Sequence, residues 1–226
     1  MLPFANQSGP DDEYFADGVT DEILNALAQL EGLRVAARTS CFAFKGRHED
    51  LRLVAEKLAV DTVLEGTVRR SGSRLRITAQ LVNAADGYQL WSERYDREMT
   101  DVFEIQDEIA NAIATRLRGA LHARTDPNRP RGTRNLEAYE LLLRGRALQD
   151  RRGRFLAQAI VCFEQAIALD PEYAEALAWL ADSYRLIGVF GAISPAEVMP
   201  KAKALADRAL AIDPGLAHAW SRAGCR

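Results

Sequence analysis

Six carboxylates fall within twelve residues: Asp11, Asp12, Glu13, Asp17, Asp21 and Glu22. Calcium binding is the first chemistry such a run could do. A calcium loop needs oxygen ligands at fixed steps and a closing bidentate glutamate. Placing Asp17-Gly18 in that frame puts Phe15 at a ligand position and Leu24 where the glutamate belongs. The stretch therefore reads as a solvated loop entering a helix. Phosphate cradles are absent, since neither G-x-x-x-x-G-K nor G-x-G-x-x-G occurs. His48, His122 and His218 are isolated, and Cys41, Cys162 and Cys225 form no C-x-x-C pair. That composition argues against a zinc centre, a disulfide framework and a Ser-His-Asp triad. No metal, cofactor or catalytic residue is assigned. Cys41 and Cys162 lie among apolar residues and are expected to pack rather than react.

Arginines form two clusters. Arg69, Arg70, Arg74 and Arg76 bracket a turn, and Arg144, Arg146, Arg151, Arg152 and Arg154 surround a second one. Phosphate contact would suit them. No aromatic residues interleave for base stacking, and the whole chain carries a net charge of −3. Nucleic-acid binding is therefore not expected. Charges that keep a sheet edge from aggregating explain the first cluster, and a solvated or partner-facing edge explains the second.

The elements that position these residues change character along the chain. Residues 123–135 hold two prolines, one glycine and no large apolar side chain, which marks a linker. Before it, Thr20 is placed to cap a helix reaching about residue 29, with Ile23, Leu24, Leu27 and Leu30 on one face. Residues 33–37 form a strand candidate. Residues 50–58 give a second helix, with Leu51, Val54, Ala55 and Leu58 inward. Three strands follow, at residues 62–70, 74–83 and 88–95. Ser71-Gly72-Ser73 and Asp86-Gly87 supply the turns. In the middle strand Leu75, Ile77, Ala79 and Leu81 alternate with Arg74, Arg76, Thr78 and Gln80, the pattern of a half-buried antiparallel strand. Val102, Ile105, Ile109, Ile113, Leu117 and Leu121 then repeat at helical spacing. The N-terminal half is expected to be an α+β sandwich, its helices on one face of a sheet that contains a three-strand meander. It spans residues 1–122.

The motifs Leu2-Pro3-Phe4-Ala5-Asn6, Glu13-Tyr14-Phe15-Ala16-Asp17-Gly18-Val19-Thr20, Arg38-Thr39-Ser40, Leu64-Glu65-Gly66-Thr67-Val68-Arg69 and Leu90-Trp91-Ser92-Glu93-Arg94-Tyr95-Asp96 occur in order. Together they resemble the TolB-like amino-terminal domain of bacterial multidomain signalling proteins. In that family the domain usually follows an adenylate cyclase or winged-helix DNA-binding domain and precedes tetratricopeptide repeats. The resemblance implies a regulatory or scaffolding role and transfers no catalytic residue. It also implies a fuller first strand than Met1 supplies, so an internal start or a missing upstream segment is expected. An enzyme would have to use Asp17, Arg38 and Glu65 from these motifs. A turn, a strand-end hydrogen bond and a strand-edge carboxylate account for them more simply.

Beyond the linker every pattern has helical period. Phe163-Glu-Gln-Ala-Ile-Ala-Leu-Asp-Pro171 recurs as Ala206-Asp-Arg-Ala-Leu-Ala-Ile-Asp-Pro214, the prolines 43 residues apart. Residues 136–226 resemble tetratricopeptide repeats, whose unit is about 34 residues. One connection must hold about nine extra, expected around residues 187–198, where Gly188, Gly191 and Pro195 interrupt the pattern. Ala159, Phe163 and Ala166 match Ala202, Ala206 and Ala209 as packing positions. Leu177, Leu180, Ala181 and Tyr184 fit the first helix of the second unit. Ala138, Leu141 and Gly145 fit that of the first with a short insertion. Ala217, Trp220, Ala223 and Gly224 begin a third unit. Such repeats bury their apolar sides only against neighbours, so a continuation past Arg226 is expected.

The function implied is a non-catalytic, cytoplasmic interaction scaffold that binds a protein, a peptide or a flanking domain of its own chain. It would couple that event to a cyclase or DNA-binding output domain. Repeats of this kind bind on the face lined by their first helices, which places Tyr139, Arg146, Gln149, Glu175, Asp182 and Arg185 on the partner surface. Exposed repeat ends offer a route to oligomers. The alternative is a small-molecule sensor or enzyme with a pocket in the α+β half. Residues 1–12 lack a basic region followed by an apolar core, so no signal peptide is expected, and no 18-residue apolar run occurs.

Overall fold

The computed structural model describes all residues except 29, 31, 48, 118–131, 191–192 and 217–226. The chain divides into two compact units, Met1–Pro127 and Asn128–Arg226. The first is a four-stranded sheet with helices; the described part of the second is all helical.

In the first unit, β1 (Ala5–Asn6) is followed by a single turn of tight helix that leads into α1 (Glu13–Ala28). Pro10 starts that turn, and Asp11, Asp12 and Glu13 sit at the positive end of the helix dipole. The sequence reading started this helix at Thr20. The apolar stripe in fact begins at Phe15 and runs through Val19, Ile23 and Leu27, all buried. Thr20 is interior, and its hydroxyl has another task. It donates to the Ala16 carbonyl at 2.8 Å and accepts from the Phe4 N–H at 2.9 Å, clasping the chain beside β1 to the helix.

Residues 33–37 do not form the expected strand; they run without a ladder into the short helix α2 (Arg38–Phe42). Their apolar run is too short to distinguish a ladder from an extended connection. α3 (Leu51–Leu58) lies where its apolar spacing put it, with the Asp50 side chain accepting from the Arg52 N–H as its cap. Val54 and Ala55 are its buried residues, while Leu51 and Leu58 are only half-buried.

The meander comprises β2 (Thr62–Ser71), β3 (Arg74–Asn83) and β4 (Gln89–Glu98), and β1 pairs parallel to β2 to give the order β1-β2-β3-β4. Register places Leu64, Leu81 and Trp91 in one row and Val68, Ile77 and Tyr95 in another, all buried. α4 (Val102–Leu117) contributes Val102, Ile105, Ile109 and Ile113 to the same core. The ring of Phe4 lies against Gly66, where a Cβ would stand 2.9 Å from Cζ and 2.2 Å from the Thr78 carbonyl. Glycine in that motif is therefore a packing requirement.

In the second unit, α5 (Leu136–Arg151) pairs with α6 (Phe155–Leu169), and α7 (Ala174–Val189) with α8 (Pro195–Ile212). The expected linker ends before Thr133, which is buried with its hydroxyl donating to Asp170 at 2.5 Å; residues 123–131 lie outside the described set. Ala159, Phe163 and Ala166 are fully buried, and Ala202, Ala206 and Ala209 nearly or fully so, as the repeat demands. Gly188 does not interrupt its helix. It lies inside α7, where a Cβ would come 2.8 Å from Val198 Cγ2, so it admits α8 at close range. The extra residues go into the connection after α7 and into a longer α8, which starts at Pro195 and carries Pro200 within it. Gly191 and the third-unit residues Ala217, Trp220, Ala223 and Gly224 lie outside the described residues.

Gly145 controls the first pair. A Cβ there would sit 2.5 Å from Phe163 Cε1, and the ring is fully buried with no room to retreat. Gly145→Ala should therefore destabilise by about 1–3 kcal/mol through overpacking, more than the ~1 kcal/mol that alanine adds to helix propensity. Urea unfolding followed by circular dichroism measures this. Combining it with Phe163→Leu should cost less than the sum of the two single changes.

Candidate functional site

The six residues expected on the partner face occupy matching steps of two helices. Tyr139, Arg146 and Gln149 lie on α5, and Glu175, Asp182 and Arg185 lie on α7 at the same spacing of seven and three. This places each trio on one face of its helix. The structure brings five of them together across the α5–α7 contact. Gln149 Nε2 donates to Asp182 Oδ2 at 2.7 Å. Arg185 grips Asp182 Oδ1 through Nε at 3.0 Å and Nη2 at 2.7 Å. Arg146 and Glu175 pair at 3.8 Å. Tyr139 is buried farther along the same stripe.

This arrangement differs from an open, solvated groove. Tyr139, Gln149 and Asp182 are buried, Arg146 and Glu175 are mostly covered, and Arg185 is about one-third exposed. Two residues outside the sequence reading complete the seam. Ser183 donates to Gln149 Oε1 at 2.5 Å, and the Trp179 ring lies 5.1 Å from the Arg146 guanidinium. Ser183 gave no signal in the pattern, being a small residue within an apolar stretch. Trp179 faces both Arg146 and Phe163, the latter ring stacked at 6.3 Å.

The second arginine cluster is not one surface. Arg146 turns inward, whereas Arg151 and Arg154 both stack on Phe155, at 5.5 and 5.1 Å. In the first cluster, Arg74 and Arg76 bind Asp96 of the neighbouring strand, at 3.3 and 2.5 Å.

The candidate reacting groups of the first unit are held apart. Asp17 meets Lys45 Nζ at 2.5 Å, and Lys45 also reaches Glu13 at 2.6 Å. Burial pushes the Asp17 carboxyl up, Lys45 draws it down, and the nearby Glu13 and Asp21 charges add to the rise, so it ends raised. Burial alone would lower the Lys45 ammonium, but its two carboxylate bonds outweigh this and leave it raised. Glu13 is raised by burial and lowered further by Lys45, and ends below the usual range. Arg38 takes the buried Asp21 carboxylate with Nε at 2.8 Å and lies over the Phe42 ring at 4.2 Å. These pairs tie α2 and the following turn to α1. Glu65 belongs to β2, among Thr67 and Arg69 on the sheet face opposite Leu64 and Val68. Nothing brings it to Asp17 or Arg38.

A cleft of about 320 Å³ lies between α3 and the ends of β2 and β3, with Arg52, Glu56, Asp61 and Asn83 among its walls. Arg52 is already committed to Asp50 at 2.9 and 3.2 Å. Among the described residues no three His, Cys, Asp or Glu side chains are grouped to hold a metal, and no helix is long and apolar enough to cross a membrane. Cys41 is buried, its Sγ 3.6 Å from the Ala36 carbonyl, and burial raises the Cys162 thiol.

The site geometry is thus that of paired helices joined by a buried polar seam, in which Gln149, Asp182, Ser183 and Arg185 are mutually hydrogen-bonded. Residues 1–112 match the family of HilA/YgeH-like transcriptional regulators, in its second domain. Over 184 residues, 80% of this chain, the sequence is 42% identical to the protein named "Putative adenylate cyclase 3" of Rhizobium meliloti (strain 1021). The chain spans 31% of that relative's length. Both similarities are to proteins of regulation and signalling.

Two expectations follow. Gln149→Leu leaves the Asp182 carboxylate and the Ser183 hydroxyl short of partners in a buried place, and should cost about 2–5 kcal/mol in urea unfolding. Gln149→Glu should cost at least as much at neutral pH and recover as the solution is acidified. Glu65 provides a pH test. Burial holds its carboxyl above the ordinary range, so folding favours the protonated form. Its penalty is absent below the unfolded value, about 4.3, and grows as pH rises through the folded value. Glu65→Gln should raise Tm at pH 7 and lose that advantage below about pH 4, as read by scanning calorimetry.

Proposed function

We propose that this chain is the non-catalytic interaction segment of a bacterial signalling protein that works in the cytoplasm. A TolB-like α+β domain is joined to tetratricopeptide-type hairpins. The hairpins bind a protein, a peptide or a flanking domain, and the event is passed to an output domain elsewhere, of the cyclase or DNA-binding class. The observation that carries the reading is the repeated register of α6 and α8. Each presents buried small residues at matching positions, Ala159 and Ala166 against Ala202 and Ala209, ahead of the same Asp-Pro step. Helical pairs built this way stack and expose first-helix side chains at the rim. The two likenesses, one to a transcriptional regulator domain and one to a protein named for adenylate cyclase, support the two output classes.

On this reading Arg185, at the partly exposed end of the seam, touches the partner; Gln149 and Asp182 hold it in place, and Arg146 holds the mostly covered Glu175 beside it. A peptide selected from a display library and measured by calorimetry should bind about tenfold more weakly to Arg185→Ala. Arg185→Ala also strips the buried Asp182 carboxylate of its guanidinium and lowers Tm, so Arg185→Lys, which keeps a cation there but not the planar fork, separates lost contact from lost stability. Unchanged affinity would remove this face from the account. The alternative, a small-molecule sensor or enzyme in the α+β unit, is supported instead if nucleotides or metabolites raise the thermal midpoint while Arg52→Ala at the α3 cleft abolishes the rise.

A further inference from the structure

The two edges of the sheet are built differently. On one side β1 is only two residues long, and the Ser8 hydroxyl accepts the Arg70 N–H just beyond it, closing that edge. On the other, β4 offers ten residues of strand, paired only to β3 among the described residues. An open strand of that length is a template for another strand. Native edges are commonly protected by charge, proline, a bulge or brevity; β4 has neither proline nor brevity, its irregularity lies at Leu90 outside Ser92–Glu98, and its charges are mixed in sign, so they repel a second copy only in some registers. It reads Glu93-Arg94-Tyr95-Asp96-Arg97, a sequence whose charges invert about Tyr95.

We propose that β4 is a homodimerisation edge, pairing antiparallel with β4 of a second copy about a two-fold axis at Tyr95. A two-fold axis perpendicular to the sheet keeps both helical layers on one side. Directly opposed residues must then come from the same face, so the axis must pass through a residue. Centring on Arg94, Asp96 or Glu93 would put a like charge against itself. Centring on Tyr95 sets Arg94 against the second copy's Asp96 and Glu93 against its Arg97, four opposite pairs in all. Opposite charges directly across antiparallel strands attract, and like charges there repel.

The surroundings favour this register. Arg94 has no partner among the described residues, while Asp96 already collects Arg74 and Arg76 from β3. An incoming Arg94 would extend that row of alternating charge. Arg97 stands 3.9 Å from Glu108 of α4 and is half exposed, so it stays available. Ser92 to Glu98 overlap in each copy, a seven-residue ladder on either side that would make one continuous eight-stranded sheet. This pairing is separate from the hairpin surface and from the repeat ends.

Sedimentation velocity across a concentration series tests it. The wild-type chain should show a reversible monomer–dimer equilibrium. Glu93→Arg and Arg97→Glu, each alone, place like charges at both Glu93–Arg97 pairs and should weaken self-association about tenfold or more. Mixed in equal amounts, the two variants restore opposite charges at both pairs and should form a heterodimer about as tightly as the wild type. Circular dichroism shows whether each variant keeps its fold. Because the mixture contains the same two proteins, its recovery does not depend on either variant's stability. A wild-type chain that stays monomeric, single variants that dimerise like wild type through another surface, or a mixture that fails to recover would each overturn the proposal.

Discussion

A carboxylate taken out of water must be matched, and the second unit is organised around one such group. Asp182 is buried, with Gln149 on one oxygen and Arg185 on the other. Gln149 belongs to α5 and Asp182 to α7, so satisfying the charge sets the register between the first helices of the two hairpins. Apolar packing alone would tolerate sliding by a turn, because alanines and leucines repeat along both helices. A hydrogen-bonded charge does not tolerate it, since the displaced state leaves donors and an anion unpaired at several kcal/mol. Ser183 and the Arg146–Glu175 pair extend the same constraint along the contact.

Close approach makes that seam reachable. Gly145 lets the Phe163 ring press onto α5, and Gly188 lets Val198 press onto α7. The small residues bring the helices together, the rings fill what remains, and the polar residues fix where the helices stop. In the first unit the division of labour is similar. Gly66 admits the Phe4 ring, and the Thr20 hydroxyl then holds the Phe4 backbone to α1. In both units, glycines serve as contact points in the fold.

Much of this was legible beforehand, because periodicity reports burial directly. The alternation from Arg74 to Asn83 located β3 to the residue, and the repeated Asp-Pro steps located the ends of α6 and α8. Local signals failed where a residue had two competing uses. Thr20 has the chemistry of a helix cap, yet its hydroxyl also suits bonding to a carbonyl one turn back. Only the tertiary contact with Phe4 decides between them. Residues 33–37 have the apolar content of a strand but pair with no strand in the structure. The six residues proposed for a partner face do share one stripe on each helix. Their mutual pairing was not visible, because sequence spacing along one helix says nothing about which stripe on another helix it meets.

The buried seam locks α5 and α7 into one cooperative scaffold. Native-state hydrogen exchange measures this most directly. Amides of α5 and α7 flanking Gln149 and Asp182 should open together, with one free energy and one denaturant dependence. Independent opening of the α5–α6 pair, with α7 and α8 still protected, would contradict the account.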